Sequence, residues 1–170
     1  MNQNGVEGSE KRVEVLKNFY SLKSHIEGGY FSEIYTSPFK QNDRATAGSI
    51  YFLLEGKDIS HFHKIDCDKI WYYHEGCGMK IFMLCEGNLE EFLLGKNVER
   101  GERAMIIIPA GAIFAAENLD ANSYTFISCM TTPKFNYAGF KLVTRSEFEN
   151  IYPYATEKIL SLAYSEDSAK

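Results

Sequence analysis

The stretch from Ser49 to Leu94, SIYFLLEGKDISHFHKIDCDKIWYYHEGCGMKIFMLCEGNLEEFLL, is the part of the chain that decides the fold. It contains five short runs of strand-forming residues, SIYFLL, SHFHKI, KIWYYH, KIFMLC and LEEFLL. Glycine and charged residues separate these runs, as is typical of tight turns. No segment long enough for a crossover helix lies between them, so the pattern predicts antiparallel pairing rather than a parallel βαβ sheet.

Five further strand-like runs lie outside this stretch, at residues 30–36, 104–109, 112–117, 123–129 and 140–144. The ten runs together predict an all-β sandwich or barrel. Helical spacing of Val13, Leu16 and Tyr20 predicts a short N-terminal helix that begins at Ser9. Near the other end, Ser146 with Glu149 predicts a capped helix, and residues 156–163 predict a second short one.

Length and composition set limits on domain number and partners. A chain of 170 residues with 45% hydrophobic residues is suited to one domain, which we place at residues 9–165 between disordered tails at 1–8 and 166–170. The net charge of −5 and the absence of a basic stripe argue against nucleic acid as a partner. No apolar run approaches membrane-spanning length and no signal peptide is recognisable, so we expect a cytoplasmic protein without membrane contact.

Two histidines in the second run are the strongest chemical signal. His61 and His63 are two residues apart, so a regular strand would point both imidazoles to one face, where they could share a metal or line a cavity. Hydrogen-bonded residues of a barrel lining explain the pair equally well. Two histidines alone do not complete a metal site, because a first-row metal usually takes a third or fourth protein ligand.

These residues belong to a longer pattern that resembles the two halves of the cupin signature. The first half is Gly56-x4-His61-x-His63 with an aromatic strand ending at Gly76, and the second is Gly101-x7-Pro109-x-Gly111-x2-Phe114-x3-Asn118. The whole chain is also similar to a narrower group, the small single-domain cupins of bacteria and fungi. That similarity covers about residues 22–152 and includes His25-x-Glu27-Gly28-Gly29-Tyr30-Phe31, Asp68-x-Ile70-Trp71 and Pro109-Ala110-Gly111.

The resemblance implies a double-stranded β-helix, a jelly-roll barrel of two antiparallel sheets with a pocket at its mouth. It also implies a homodimer, because similar proteins commonly pair through their sheets. Where metal-binding cupins carry a glutamate and a second-motif histidine, this chain carries Lys69 and Phe114. An ammonium group in the cavity would repel a divalent cation, so we expect no tightly bound metal and no cofactor.

Strand alternation predicts what remains in the pocket. If Lys69 faces inward, then Trp71 and Tyr73 do so as well, and the wall combines a cation with flat apolar surfaces. We therefore predict a small anionic or sugar-like ligand bound by His61, His63, Lys69, Trp71 and Phe114. A register shift of one residue would instead turn Asp68 and Ile70 inward and place Lys69 outside.

Three functions remain open at this stage. The first is binding of a small anionic metabolite in a metal-poor barrel. The second is a metal-independent sugar-nucleotide epimerase or isomerase, with His63 as base and Tyr51 or Tyr73 as acid. Glu33 or Asp66 is a candidate to orient His63, although Glu33 could equally be a solvated edge charge. The third is a metal-dependent dioxygenase, which Lys69 and Phe114 disfavour.

Overall fold

The computed structural model describes residues 3–165, and side chains from residue 8 onward. Thirteen β-strands and three α-helices are present in this part of the chain. The strands are β1 Lys23–Ser24, β2 Tyr30–Thr36, β3 Lys40–Gln41, β4 Arg44–Ala45, β5 Gly48–Glu55, β6 Ile59–Lys64, β7 Asp68–Gly76, β8 Met79–Cys85, β9 Asn88–Leu94, β10 Met105–Ile108, β11 Ile113–Asn118, β12 Tyr124–Thr132 and β13 Lys141–Leu142. The helices are α1 Gln3–Phe19, α2 Arg145–Ile151 and α3 Glu157–Leu160.

Two antiparallel sheets face each other, as the strand pattern predicts. The larger has the order β1-β2-β5-β12-β7-β10, and the smaller has the order β13-β6-β11-β8-β9, while β3 and β4 form a separate hairpin. Every one of the ten predicted runs overlaps a strand of these sheets, although the run at 140–144 forms only the two-residue strand β13. The main apolar core lies between them and includes Phe52, Trp71, Ile81, Phe114 and Ile127.

The helices cover the outer faces of the two sheets. Val13 and Leu16 of α1 pack with Leu53 and Phe126 on the outside of the larger sheet. Phe148 of α2 is fully buried in the cluster that covers the smaller sheet, and its ring stacks on Phe62 with centroids 4.1 Å apart. Apolar burial on both faces explains why the central strands are hydrophobic on both sides.

The helix boundaries differ from the sequence-based expectations. Helix α1 begins at Gln3 rather than at Ser9, so residues 3–8 are not the predicted tail, although Gly5 and Gly8 have low helix propensity. The capping box of α2 is formed by Thr144 and Glu147, not by Ser146 and Glu149. Residues 1–2 and the predicted tail at 166–170 lie outside the described residues.

Candidate functional site

A buried carboxylate, that of Glu27, lies at the centre of the candidate site. Its Oε2 lies 2.9 Å from Nε2 of His63 and 3.6 Å from Nδ1 of His25. Its Oε1 accepts a hydrogen bond from Oγ of Ser60 at 3.2 Å and lies 3.7 Å from Nζ of Lys69. Glu27 is only 3% exposed, so these contacts rather than water compensate its charge.

Two consecutive glycines bring Glu27 to this position. The chain reverses between His25 and Gly29. The amide of His25 donates to the carbonyl of Gly29, and the amide of Gly28 donates to the carbonyl of His25. Gly28 and Gly29 both have positive φ angles, of 104° and 71°. A Cβ on Gly28 would lie 2.0 Å from the carbonyl oxygen of Ile59, so only glycine lets this turn pass against β6.

The charges around Glu27 favour its ionised form. Burial opposes ionisation, but His63 and Lys69 outweigh this effect and hold the pKa of the Glu27 carboxyl well below its ordinary value. The other nitrogen of His63, Nδ1, lies 2.6 Å from the carbonyl oxygen of His61 and can only donate to it. The approach of Nε2 to Glu27 is short but not aligned as a hydrogen bond, so we describe it as a charge contact.

Lys69 lies inward, as the alternation of β7 predicts, and is 6% exposed. Its Nζ lies 5.3 Å from the ring centroid of Trp71 and 5.1 Å from that of Phe114, within the range of cation–π attraction. The ion pair with Glu27, at 3.7 Å, is longer than a hydrogen bond. Nζ donates no hydrogen bond to any residue that the structure describes, so three N–H groups lack a protein acceptor there.

Lys69 lines a cavity of about 140 Å³ at one end of the larger sheet. Strands β2, β5, β7 and β12 and the loop after β12 form its wall. The lining residues are His25, Glu27, Phe31, Glu33, Gly48, Ser49, Ile50, Lys69, Cys129, Thr131, Lys134, Phe135 and Tyr137. Burial raises the pKa of the Cys129 thiol to about 12, so this side chain is a neutral part of the wall.

Most polar groups on this wall already have partners. Oγ of Ser49 donates to the carbonyl of Cys129, and Nζ of Lys134 donates to Glu33 at 2.9 Å. Oγ1 of Thr131 accepts from the amide of Phe135, which leaves its hydroxyl proton for another acceptor. His25 accepts the amide of Glu27 at Nδ1, so its remaining proton is on Nε2. The donors left for a ligand are those of Lys69, His25 and Thr131, together with the exposed hydroxyl of Tyr137.

The buried imidazole of His25 makes stability depend on pH. Burial lowers the pKa of His25 below its ordinary value of 6.5, although Glu27 acts in the opposite sense. The unfolded chain therefore binds this proton at higher pH than the folded protein does, so stability is lost as pH falls through the folded-state pKa. We expect urea titrations between about pH 7 and pH 5 to show a steeper loss of unfolding free energy for the parent than for His25→Asn. Equal slopes for the two proteins would contradict this.

The structure separates the two histidines of the sequence motif. Ser60 pairs with Ala116 and His63 with Phe114, so β6 uses three residues where β11 uses two. This bulge breaks the alternation, and the expectation that His61 and His63 share a face is wrong. His63 is fully buried beside Glu27, whereas Nδ1 of His61 lies 3.2 Å from the carbonyl of Leu162 and its ring lies beside Tyr164.

The other predicted residues divide between the site and its surroundings. Trp71 and Phe114 are fully buried behind Lys69 rather than on the cavity wall, so the indole does not offer the predicted stacking surface. Tyr51 lies on the outer face of the larger sheet, where its ring contacts Tyr20 with centroids 4.4 Å apart. The hydroxyl of Tyr73 donates to the carbonyl of Gly76 at 2.7 Å.

Glu33 is on the cavity rim and does not orient His63. Its side chain is 54% exposed and pairs with Lys134. Hydrogen bonding to Lys134, with a smaller contribution from Thr36, lowers the pKa of the Glu33 carboxyl. Of the two interpretations left open by the sequence, the solvated edge charge is the one that the structure supports, and Glu27 is the acid partner of His63.

The residues at the centre do not suit a divalent metal. Across residues 8–165 no group of three histidine, cysteine, aspartate or glutamate side chains is arranged to hold a metal ion. His61 lies outside the cluster, and Lys69 places an ammonium group beside the carboxylate that would have to coordinate. Within the described part of the chain, no helix is both long and apolar enough to cross a membrane.

Comparison with known proteins agrees with this architecture. The curated protein YML079W of Saccharomyces cerevisiae is 26% identical over 171 residues, which cover 89% of this chain and 85% of the yeast protein. Protein SO0799 from Shewanella oneidensis is 31% identical, with a TM-score of 0.85, and the match covers 90% of this chain and 98% of that one. A hypothetical protein from Leishmania major is 29% identical, with a TM-score of 0.83 over 89% of this chain and 98% of its own.

More distant structures share the fold. A Bacillus subtilis oxalate decarboxylase matches with a TM-score of 0.56 at 16% identity, over 82% of this chain and 36% of that one. The sequence model of one family of the cupin superfamily, DUF985, matches residues 14–143 of this chain. The matched residues include Glu27, His63 and Lys69. The chain is therefore a member of this family of the cupin superfamily and has the cupin fold.

Proposed function

We propose that this protein binds a small organic anion in the cavity beside Lys69. The observation that carries the proposal is a buried lysine that lines a cavity and whose ammonium group has no hydrogen-bond acceptor among the described residues. Burying a cation in this way is costly unless an acceptor is supplied. A ligand carboxylate is an acceptor that restores both charge balance and hydrogen bonding.

The free donors around Lys69 support a ligand with one carboxylate. Glu27 lies 3.7 Å from Nζ of Lys69, which is longer than a hydrogen bond, so this carboxylate leaves the donors of the ammonium group free. The same carboxylate also contacts His63 and accepts a hydrogen bond from Ser60. A ligand carboxylate can therefore accept from Lys69, and the N–H of His25 and the hydroxyl of Thr131 are available to share it.

The epimerase alternative has less support from the same geometry. A general base needs a free nitrogen directed at the substrate, whereas both nitrogens of His63 face protein oxygens. Its predicted acid partners are also placed elsewhere, because Tyr51 is on the outer face of the sheet and the hydroxyl of Tyr73 is hydrogen bonded to Gly76. Anion binding needs only Lys69 as its anchor, and Lys69 already lines the cavity.

Thermal unfolding in the presence of pyruvate, benzoate or glucuronate tests the proposal. We expect at least one of these acids to raise the melting temperature of the parent and to lose that effect in Lys69→Met. Removal of a charged hydrogen bond is expected to weaken binding by about 100-fold. Glu27 keeps its contact with His63 in this variant, so the fold is expected to remain intact.

Lys96→Met is the matched control, because Lys96 is exposed and has no ion pair with a described residue. The control should respond to the acids like the parent. The proposal is wrong if none of the three acids stabilises the parent, or if Lys69→Met is stabilised as much as the parent is.

A further inference from the structure

The walls of the cavity restrict which anion it accepts. We infer that the ligand is a monocarboxylate with a compact apolar body, the size of one six-membered ring, rather than a sugar acid or a sugar nucleotide. This inference rests on the proposed function and goes further by naming the ligand class. It depends on three properties of the site, which are its volume, the chemistry of its walls and the number of free donors.

The volume limits the ligand to about one ring. Apolar cavities of about 150 Å³ hold a single benzene molecule, and this cavity measures about 140 Å³. A nucleotide or a disaccharide is several times larger. A sugar nucleotide would therefore have to leave most of its surface outside the cavity.

The walls suit an apolar body beyond the carboxylate. Phe31 and Ile50 lie on the strands, while Phe135 and Tyr137 belong to the loop that follows β12. The rings of Phe135 and Tyr137 pack edge to face with centroids 5.0 Å apart. Phe31 likewise meets the ring of His25 edge to face at 4.7 Å. Aromatic and aliphatic side chains on the wall favour an apolar group beside them.

Free donors are too few for a sugar. Lys69, His25 and Thr131 supply enough protons to surround one carboxylate, and the hydroxyl of Tyr137, a residue that is 59% exposed, is a further wall donor with no hydrogen bond to a described residue. Ser49, Glu33 and Lys134 are already engaged with other protein groups. Most hydroxyls of a sugar would therefore lose water without gaining partners, and each such loss weakens binding.

Calorimetric titration of the parent protein with matched probes tests this inference. We expect benzoate and cyclohexanecarboxylate to bind at least about tenfold more tightly than glucuronate, because most hydroxyls of glucuronate stay unpaired. Benzyl alcohol, which lacks the charge, and 2-naphthoate, which has a second ring, should each bind about tenfold more weakly than benzoate. Lys69→Met should remove the preference for benzoate over benzyl alcohol, while Lys96→Met should keep it.

The outcomes separate this inference from the proposal on which it depends. Tighter binding of glucuronate than of benzoate, lost in Lys69→Met, would overturn the ligand class and leave the anion site in place. Binding of 2-naphthoate as tight as that of benzoate would overturn the size limit. Equal binding of benzoate and benzyl alcohol, or no binding of any carboxylate, would overturn both.

Discussion

Gly28→Ala is expected to destabilise the protein by about 3 kcal/mol or more, because the new methyl group would overlap a backbone atom and the positive φ would be strained. The Cβ would lie 2.0 Å from the carbonyl oxygen of Ile59, and β6 cannot retreat without disturbing its pairing with β11. Glu27 would move with the turn. Urea unfolding of the variant and the parent gives the difference in free energy.

Gly87→Ala provides the control for this substitution. Gly87 has a φ of 80°, and a Cβ built there meets nothing within 4 Å. This variant has the strain of the positive φ without the steric overlap, so it should cost only about 1 kcal/mol. Equal losses in the two variants would show that the turn at Gly28 does not press against β6 as described.

Glu27→Gln is expected to cost about 3–5 kcal/mol of unfolding free energy, because it leaves buried positive charge without its counter-charge. The amide keeps the size of the carboxylate, so the loss reports charge rather than packing. Glu33→Gln removes an exposed partner of Lys134 and should cost less than about 1 kcal/mol.

Combining Glu27→Gln with Lys69→Met should recover part of the loss, since the double variant no longer buries the ammonium group. Urea unfolding at neutral pH gives the unfolding free energies of the parent, Glu27→Gln, Glu33→Gln and the double variant. A cost for Glu27→Gln as small as that for Glu33→Gln would contradict the assignment of Glu27 as the charge that holds the cluster together.

The fold was predictable because its signal is local and repeated. Each strand run is bounded by turn residues, and alternation along β7 correctly turns Lys69 inward. Helix α1 was less predictable at its start. Two glycines weaken the helical pattern before Ser9, although Val13 and Leu16 anchor the helix further along by packing on the sheet.

The site was only partly predictable because it depends on two irregular features. The bulge in β6 separates His61 from His63, and nothing in the spacing of two residues reveals it. Glu27 lies in a loop, where no periodicity states which way a side chain points. The signal that was present is the pair of glycines that follows Glu27, since consecutive glycines mark a close approach of two backbone segments.

The central claim is that Lys69 anchors a carboxylate inside the cavity, and a crystal structure of the protein grown with benzoate tests it most directly. We predict difference density for one benzoate in the cavity, with a carboxylate oxygen at about 2.8 Å from Nζ of Lys69 and the ring beside Phe31 and Phe135. Benzoate bound elsewhere, or a cavity that holds only water at saturating benzoate, would contradict the claim.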